Sequence, residues 1–255
     1  MCLAVLALDA HPRHALVLAA NRDEYHARPS APAAWGDDGA FRDILAGRDL
    51  MAGGTWLGVS RRGRFALVTN VREGKAQDPA ARSRGELPLF ALSATGTVED
   101  AMGTIDGSRY NGFNLLAGDP LRCAWVSNRG GSLRTIERGV HGLSNALLDT
   151  PWPKVARTKQ RLADWLRGNA VDIEPLFASL RDGAQPSDES LPATGVPLQW
   201  ERLLSSPFIA SERYGTRCST VITIGRDGRA RFVERTFGPE GATLGEAAYE
   251  FDITA

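Results

Sequence analysis

The chain has 255 residues, of which 43% are hydrophobic and 24% are charged, values typical of a globular protein with a substantial core. Thirty basic residues balance thirty acidic ones and only 7% of the residues are aromatic, so we expect no binding to nucleic acid or to an anionic membrane surface. Apolar runs are shorter than the roughly 18 residues of a membrane span, so we expect none. Cys2, Cys123 and Cys218 are far apart and lack metal-site spacing, which indicates a reducing compartment, the cytoplasm.

Two strands are predicted at the amino-terminal end of the chain. The apolar runs Cys2–Leu8 and His14–Ala20 are separated by the turn residues 9–13, a pattern that predicts a β-hairpin. The quartet Asn21-Arg22-Asp23-Glu24 follows directly. Because the first and last residues of a hairpin are neighbours across the ladder, we expect this polar quartet to lie beside Cys2.

The remaining elements come in blocks of strands separated by blocks of helices. This order is typical of an α+β fold with mostly antiparallel sheets covered by helices. Residues 1–255 are predicted to form a single domain with an exposed loop around residues 182–197, where Gly, Pro, Ser and Asp are frequent. The predicted strands are 55–60, 65–70, 113–118, 123–128, 133–137, 220–224, 229–237 and 249–253, and the predicted helices are 85–94, 98–105, 154–166 and 173–180.

Cys2 is the first candidate for a chemical role. If Met1 is removed, residue 2 carries both a thiol and a free α-amine. An α-amine titrates at about 7.7–8.0, so it can act as a general base for its own thiol. The alternative from this residue alone is an inert thiol at the start of a buried strand.

Several polar residues could complete such a site. A nucleophilic thiol needs a nearby cation, a carboxylate that holds the amine and amide donors for an oxyanion. Arg22 and Asp23 return on the second strand of the hairpin, and the apolar segments 65–70 and 140–145 both end in asparagine, at Asn70 and Asn145. Arg217 precedes another predicted strand.

Six motifs in order resemble those of the NRDE family, which includes the eukaryotic transport and Golgi organisation protein 2. They are Cys2, NRDE at 21–24, AGGTWLGVS at 52–60, TNVR at 69–72, GLSNA at 142–146 and YGTR at 214–217. The family is similar to N-terminal-nucleophile hydrolases such as penicillin V acylase and bile-salt hydrolase. This resemblance implies a four-layer α-β-β-α sandwich.

The resemblance also implies roles for individual residues. Cys2 would attack a carbonyl of a small-molecule amide or acyl ligand, with Arg22 beside the thiolate and Asp23 orienting the amine. Asn70 and Asn145 would receive the oxyanion or hold the amine, and Arg217 would complete the charge balance. No cofactor is required for this reaction. Four further residues, Asn21, Glu24, His26 and Trp56, would form the substrate-binding wall.

A second interpretation is a non-catalytic protein that binds or transports haem or an acyl thioester. It comes from the association of the family's eukaryotic members with haem trafficking and lipid metabolism. His26, which follows the NRDE quartet, would then be the candidate axial ligand for haem. The four histidines and three cysteines show no metal-site spacing, so we expect no metal site.

Overall fold

Two antiparallel β-sheets and five α-helices make up the structure, a computed structural model that describes residues 2–130, 132–168 and 171–254. The strands are β1 (Cys2–Leu8), β2 (His14–Tyr25), β3 (Ser30–Trp35), β4 (Ile44–Asp49), β5 (Leu57–Ser60), β6 (Phe65–Asn70), β7 (Phe113–Gly118), β8 (Cys123–Ser127), β9 (Arg134–Thr135), β10 (Gly139–Leu143), β11 (Tyr214–Gly225), β12 (Arg229–Phe237) and β13 (Thr243–Asp252). The helices are α1 (Glu86–Ser93), α2 (Val98–Gly103), α3 (Pro153–Arg167), α4 (Glu174–Leu180) and α5 (Leu198–Leu203).

The two sheets stack face to face. One has six strands in the order β10-β1-β2-β11-β12-β13, and the other has β3 to β9 in sequential order. Side chains alternate between the faces of a strand, so Leu6 and Leu18 point into the space between the sheets, where Phe65 and Trp125 of the second sheet meet them. This buried layer is the main core.

Helices cover the outer face of each sheet. Val5 and Val17, which alternate with the residues of the main core, pack under Leu162 of α3 and Phe177 of α4. Helices α1 and α2 cover the seven-stranded sheet in the same way. The layers therefore follow the order α-β-β-α, which confirms the predicted fold class.

The observed strands differ from the predicted ones mainly around the NRDE quartet. The sequence predicts that β2 ends at Ala20, but the strand continues to Tyr25. The reason is that β11 begins at Tyr214, earlier than predicted, and pairs with β2 as far as Tyr25. The quartet therefore lies within a strand. Strands β3 and β4 and helix α5 were not predicted, since their short segments lack clear apolar periodicity.

Residues 182–197 run between α4 and α5 as irregular chain with one short 3₁₀ turn at Asp188–Ser190. Most of these residues are exposed to solvent. Among the helices of the described residues, none combines the length and the hydrophobicity that crossing a membrane requires.

Candidate active site

The register of the six-stranded sheet places Cys2 beside Arg22. Cys2 of β1 pairs with Arg22 of β2, and Arg22 pairs in turn with Cys218 of β11. The side chain of Arg22 points between the sheets, where its guanidinium lies 4.3 Å from the ring centre of Trp56 in the facing sheet. Arg22 is only 6% exposed, and its Nη1 is buried without a hydrogen-bond partner. A cation with unused hydrogen-bonding capacity therefore lies next to the thiol.

Cys2 lines a cleft of about 420 Å³ at the end of the β-sandwich. The predicted residues Arg22, Asp23, Glu24, Trp56 and Asn70 line this cleft together with Cys2. Its outer wall is strongly polar and carries Arg28, Asp49, Arg82, Arg84 and Asn111. Three residues of the quartet, Arg22, Asp23 and Glu24, therefore line the same cleft as Cys2.

Cys2 differs from the other two thiols in its surroundings. Cys2 is half-buried on the cleft, whereas Cys123 and Cys218 are buried. Burial raises the pKa of the Cys2 thiol and the charge of Asp23 raises it further, while the charge of Arg22 opposes both. Burial raises the pKa of Cys218 well above its usual value, with a further contribution from Glu234. Of the three cysteines, Cys2 is therefore the one that borders the cleft.

Asp23 lies at the floor of the site and is 1% exposed. Thr216 Oγ1 donates a hydrogen bond to its Oδ1 over 2.7 Å. Burial raises the pKa of Asp23, and the charges of Lys154 and Arg22 act in the opposite direction. The carboxylate is thus held in place by β11 and depends on neighbouring cations for its charge.

Asn70, the last residue of β6, and Asn145, which follows β10, lie next to each other. Asn145 Nδ2 donates to the backbone oxygen of Asn70 over 2.9 Å and to its Oδ1 over 3.1 Å. This leaves Nδ2 of Asn70 available to a ligand in the cleft. The preceding residue, Ser144, donates to the backbone oxygen of Cys2 over 2.8 Å. The GLSNA segment therefore ties the start of β1 to the end of β6.

Four predicted site residues do not line this cleft: Asn21, His26, Asn145 and Arg217. Asn21 points to the helical side of the sheet, where its Nδ2 donates to the backbone oxygens of Leu180 and Pro207. Arg217 donates from Nη1 to the backbone oxygens of residues 25, 26 and 28. His26 packs against Gly215. Asn21 and Arg217 thus brace the two flanks of the NRDE segment.

Sequence reasoning missed a buried charged cluster behind the site. Arg72 Nη1 forms an ion pair with Glu201 Oε2, and both side chains are buried. Lys154 Nζ donates to the backbone oxygen of Leu204 over 2.9 Å, and Arg72 Nη2 donates to the same oxygen. The TNVR motif contains Arg72 and could have drawn attention to it. Lys154 carries no such signal, because it is the second residue of an ordinary amphipathic helix.

A second cleft of about 430 Å³ adjoins the first, and Glu24, Asn70 and Arg84 line both. Its wall is largely apolar and aromatic, with Tyr25, Val196, Pro197, Trp200, Leu204 and Tyr214. A ligand with one polar and one apolar part could therefore occupy both clefts.

In residues 2–130, 132–168 and 171–254, no three His, Cys, Asp or Glu side chains are grouped so that they could hold a metal ion.

Comparison with known proteins relates the whole chain to one family. The family model described as "Transport and Golgi organisation 2" matches residues 1–239. The human transport and Golgi organization protein 2 homolog is 35% identical over 281 residues, which cover 99% of each chain. The Drosophila melanogaster protein of the same name is 28% identical, with 92% of each chain covered.

Solved structures with a similar fold are hydrolases. An N-acylethanolamine-hydrolyzing acid amidase ortholog from Caenorhabditis elegans aligns with a TM-score of 0.57 and 10% identity, covering 87% of this chain and 92% of its own. The C2A mutant of a conjugated bile acid hydrolase from Clostridium perfringens aligns with a TM-score of 0.54 and 8% identity, covering 99% of this chain and 92% of its own. At these identities the likeness establishes the fold alone.

Proposed function

We propose that the protein is a cysteine hydrolase that cleaves a non-peptide amide, or a related acyltransferase. The chain belongs to the transport and Golgi organisation 2 family. It has the fold of N-terminal-nucleophile hydrolases. Cys2 is the nucleophile. One observation carries the proposal: the thiol of Cys2 shares a cleft with Arg22, whose buried Nη1 has no partner. A structural arginine would use that nitrogen, whereas a thiolate or a developing oxyanion would satisfy it.

The proposed reaction has two steps. The sulfur of Cys2 attacks the carbonyl carbon of the amide, and the thiol proton passes through the α-amine to the departing amine. The C–N bond breaks and leaves a thioester on Cys2, which water hydrolyses or a second nucleophile accepts in acyl transfer. Asn70 Nδ2 is the donor suited to the developing oxyanion, since Asn145 occupies the other end of that amide. Asp23 holds the amine.

This mechanism requires removal of Met1, which lies outside the described residues. Only then does Cys2 carry the free α-amine that serves as the base. The cytoplasm remains the proposed compartment, on the basis of the cysteine spacing alone.

The two adjoining clefts suggest the general shape of the substrate. The reacting amide would sit in the polar cleft, and an apolar group would extend past Asn70 toward Trp200 and Tyr214. Aromatic walls of this kind bury apolar ligand surface. An amide that joins a small polar amine to an apolar acyl group fits this arrangement.

Labelling of the natively expressed protein tests the proposal. Intact mass and the amino-terminal peptide reveal whether the chain starts at Cys2, and a thiol-reactive probe should label Cys2 faster than Cys123 or Cys218. Turnover in a screen of acyl amides should vanish in Cys2→Ala and survive in Cys218→Ala. A chain that retains Met1, or equal loss in both variants, contradicts the proposal.

Binding of haem or an acyl thioester without catalysis is the second candidate, and the apolar cleft is the observation that favours it. Among the described residues that line the two clefts, Cys2, Tyr25 and Tyr214 have side chains that can coordinate iron, and none is a histidine. An axial role for His26 therefore has no support from its position. A saturable Soret shift that survives His26→Ala but is lost in Trp200→Ala would favour this candidate over hydrolysis.

A further inference from the structure

Lys154 lies near the end of β1 that begins with Cys2. Helix α3 runs along β1 in the same direction, because Trp165 near its carboxyl end contacts His14 at the turn between β1 and β2, with ring centres 5.9 Å apart. The first turns of α3 pack on Gly142 of β10, the strand next to β1. The second residue of the helix, Lys154, is 1% exposed. A lysine is thus fully buried beside the candidate site.

The neighbouring ion pair does not balance the charge of Lys154. Glu201 uses Oε2 for Arg72 and accepts hydrogen bonds from Thr194 at Oε1. Lys154 Nζ instead donates to the backbone oxygen of Leu204, a neutral acceptor. Buried ammonium groups are rarely left without an anion, so a further carboxylate is expected nearby.

The strand register points to Asp23 as that carboxylate. Alternation along β2 places Asp23 on the same face as Asn21, whose side chain reaches α4, so Asp23 faces the helical layer to which Lys154 belongs. Burial lowers the pKa of Lys154 to about 8, and the charge of Asp23 is the largest opposing influence. The charge of Lys154 likewise lowers the pKa of Asp23 against the effect of burial.

We infer that Lys154 is a positioning residue, the buried counter-charge that keeps Asp23 a carboxylate at the start of β1. The electrostatic interaction between the two buried groups is independent of catalysis, whereas its purpose, to let Asp23 hold the reacting amine, rests on the proposed function. The other titratable groups whose charges act on one or both partners are Cys2, Arg22, Arg72, Glu201 and Tyr214.

A double-mutant cycle in the full-length protein tests the pairing. Lys154→Gln, Asp23→Asn and the double variant are unfolded in urea at pH values from about 5 to about 10. Near neutral pH, we expect the effect of the double variant on the folding equilibrium constant to differ from the combined effects of the two single variants by at least about tenfold. This coupling is equivalent to about 1.4 kcal/mol. The coupling should fade above about pH 8, where Lys154 loses its proton.

The chosen substitution separates charge from hydrogen bonding. Gln at position 154 can still donate to the backbone oxygen of Leu204, so a merely structural lysine predicts additive effects that do not change with pH. That result would overturn the inference. The matched control is Lys159→Gln on the same helix, whose partner is Asp149. Its effect should add to that of Asp23→Asn.

Two further measurements keep the test decisive. If Lys154→Gln does not fold, the titration of Lys154 followed by NMR should move at least about one pH unit lower in Asp23→Asn than in the unmodified protein, and an unchanged titration would overturn the inference. The cycle is repeated in a Cys2→Ser background. Coupling that persists there supports the electrostatic interaction of Lys154 with Asp23 even if Cys2 proves unreactive, so the two proposals fail separately.

Discussion

Cys2 and Arg22 lie directly opposite each other in neighbouring antiparallel strands, and the guanidinium of Arg22 extends from this pair over the ring of Trp56 in the facing sheet. One of its nitrogens is buried without a partner. Burying an unpaired donor lowers stability, so the arrangement costs free energy of folding in the absence of a ligand or thiolate. Arg22 thus places a positive charge beside the sulfur of Cys2 before any ligand binds.

Replacing Arg22 with Met should slow labelling of Cys2 without lowering stability. Loss of the cation raises the pKa of the thiol, and one pKa unit corresponds to about a tenfold smaller thiolate fraction at neutral pH. The free energy of unfolding should change little, because the loss of the unsatisfied Nη1 offsets the loss of a charge that lowers the pKa values of buried Asp23 and Glu234. Iodoacetamide labelling across pH and urea unfolding measure the two effects.

The matched control for Arg22→Met is Arg61→Met. Arg61 also stacks over a tryptophan, Trp35, at 4.0 Å, but it lies at a hairpin tip away from Cys2. Its loss should leave the labelling rate unchanged. Equal rates for Arg22→Met and the unmodified protein would show that Arg22 does not act on the thiol.

Asn145→Ala should destabilise the protein by about 1–3 kcal/mol, because it leaves buried partners without hydrogen bonds. Its Nδ2 serves both oxygens of Asn70, and its Oδ1 accepts from Ser144. Asn111→Ala, which removes exposed hydrogen bonds with Asp78, should change stability by less than about 0.5 kcal/mol. Urea unfolding of the two variants compares them, and equal losses would contradict the role assigned to Asn145.

Asp149→Asn should weaken the protein at neutral pH and matter progressively less in acid. Burial acts to raise the pKa of Asp149, but hydrogen bonds from His141, Lys159 and the backbone of Gly142 hold it well below its ordinary value. A lowered pKa gives stability that is present above the unfolded-state pKa of about 3.9 and is lost as the pH falls below it.

Unfolding free energies of Asp149→Asn and the unmodified protein, measured from neutral to acidic pH, should therefore converge. A difference that is constant with pH would show that the aspartate acts through its shape and not its charge. Because Asp149 also bonds back to Gly142, the variant should loosen the segment that carries Asn145 and slow turnover.

Gly54→Ala should destabilise the cleft wall by about 1–3 kcal/mol. A Cβ atom at Gly54 would lie 2.5 Å from the carbonyl carbon of Gly85, so two backbone segments that both border the cleft would have to separate. Gly103→Ala is the control, since nothing lies within 4 Å of its added Cβ. Thermal unfolding and Cys2 labelling compare the pair, and unchanged values for Gly54→Ala would contradict the close approach.

The pairing of Cys2 with Arg22 could be predicted from the sequence, because a short turn between two apolar runs leaves a hairpin few alternatives in register. The proximity of Asn70 and Asn145 was a weaker expectation, since each asparagine merely ends an apolar run. It required β6 and β10 to belong to facing sheets whose ends meet at the same cleft.

The sequence by itself determined most of the strands, the α+β class and the first polar wall of the site, since these depend on local alternation and on one short hairpin connection. Only the tertiary structure decided that Asn21 and Arg217 brace the site from its flanks and that Lys154 is buried behind it. These placements depend on β11 pairing with β2 and on α3 docking along β1. Such contacts join segments more than a hundred residues apart, and periodicity within one segment carries no information about which partner will cover it.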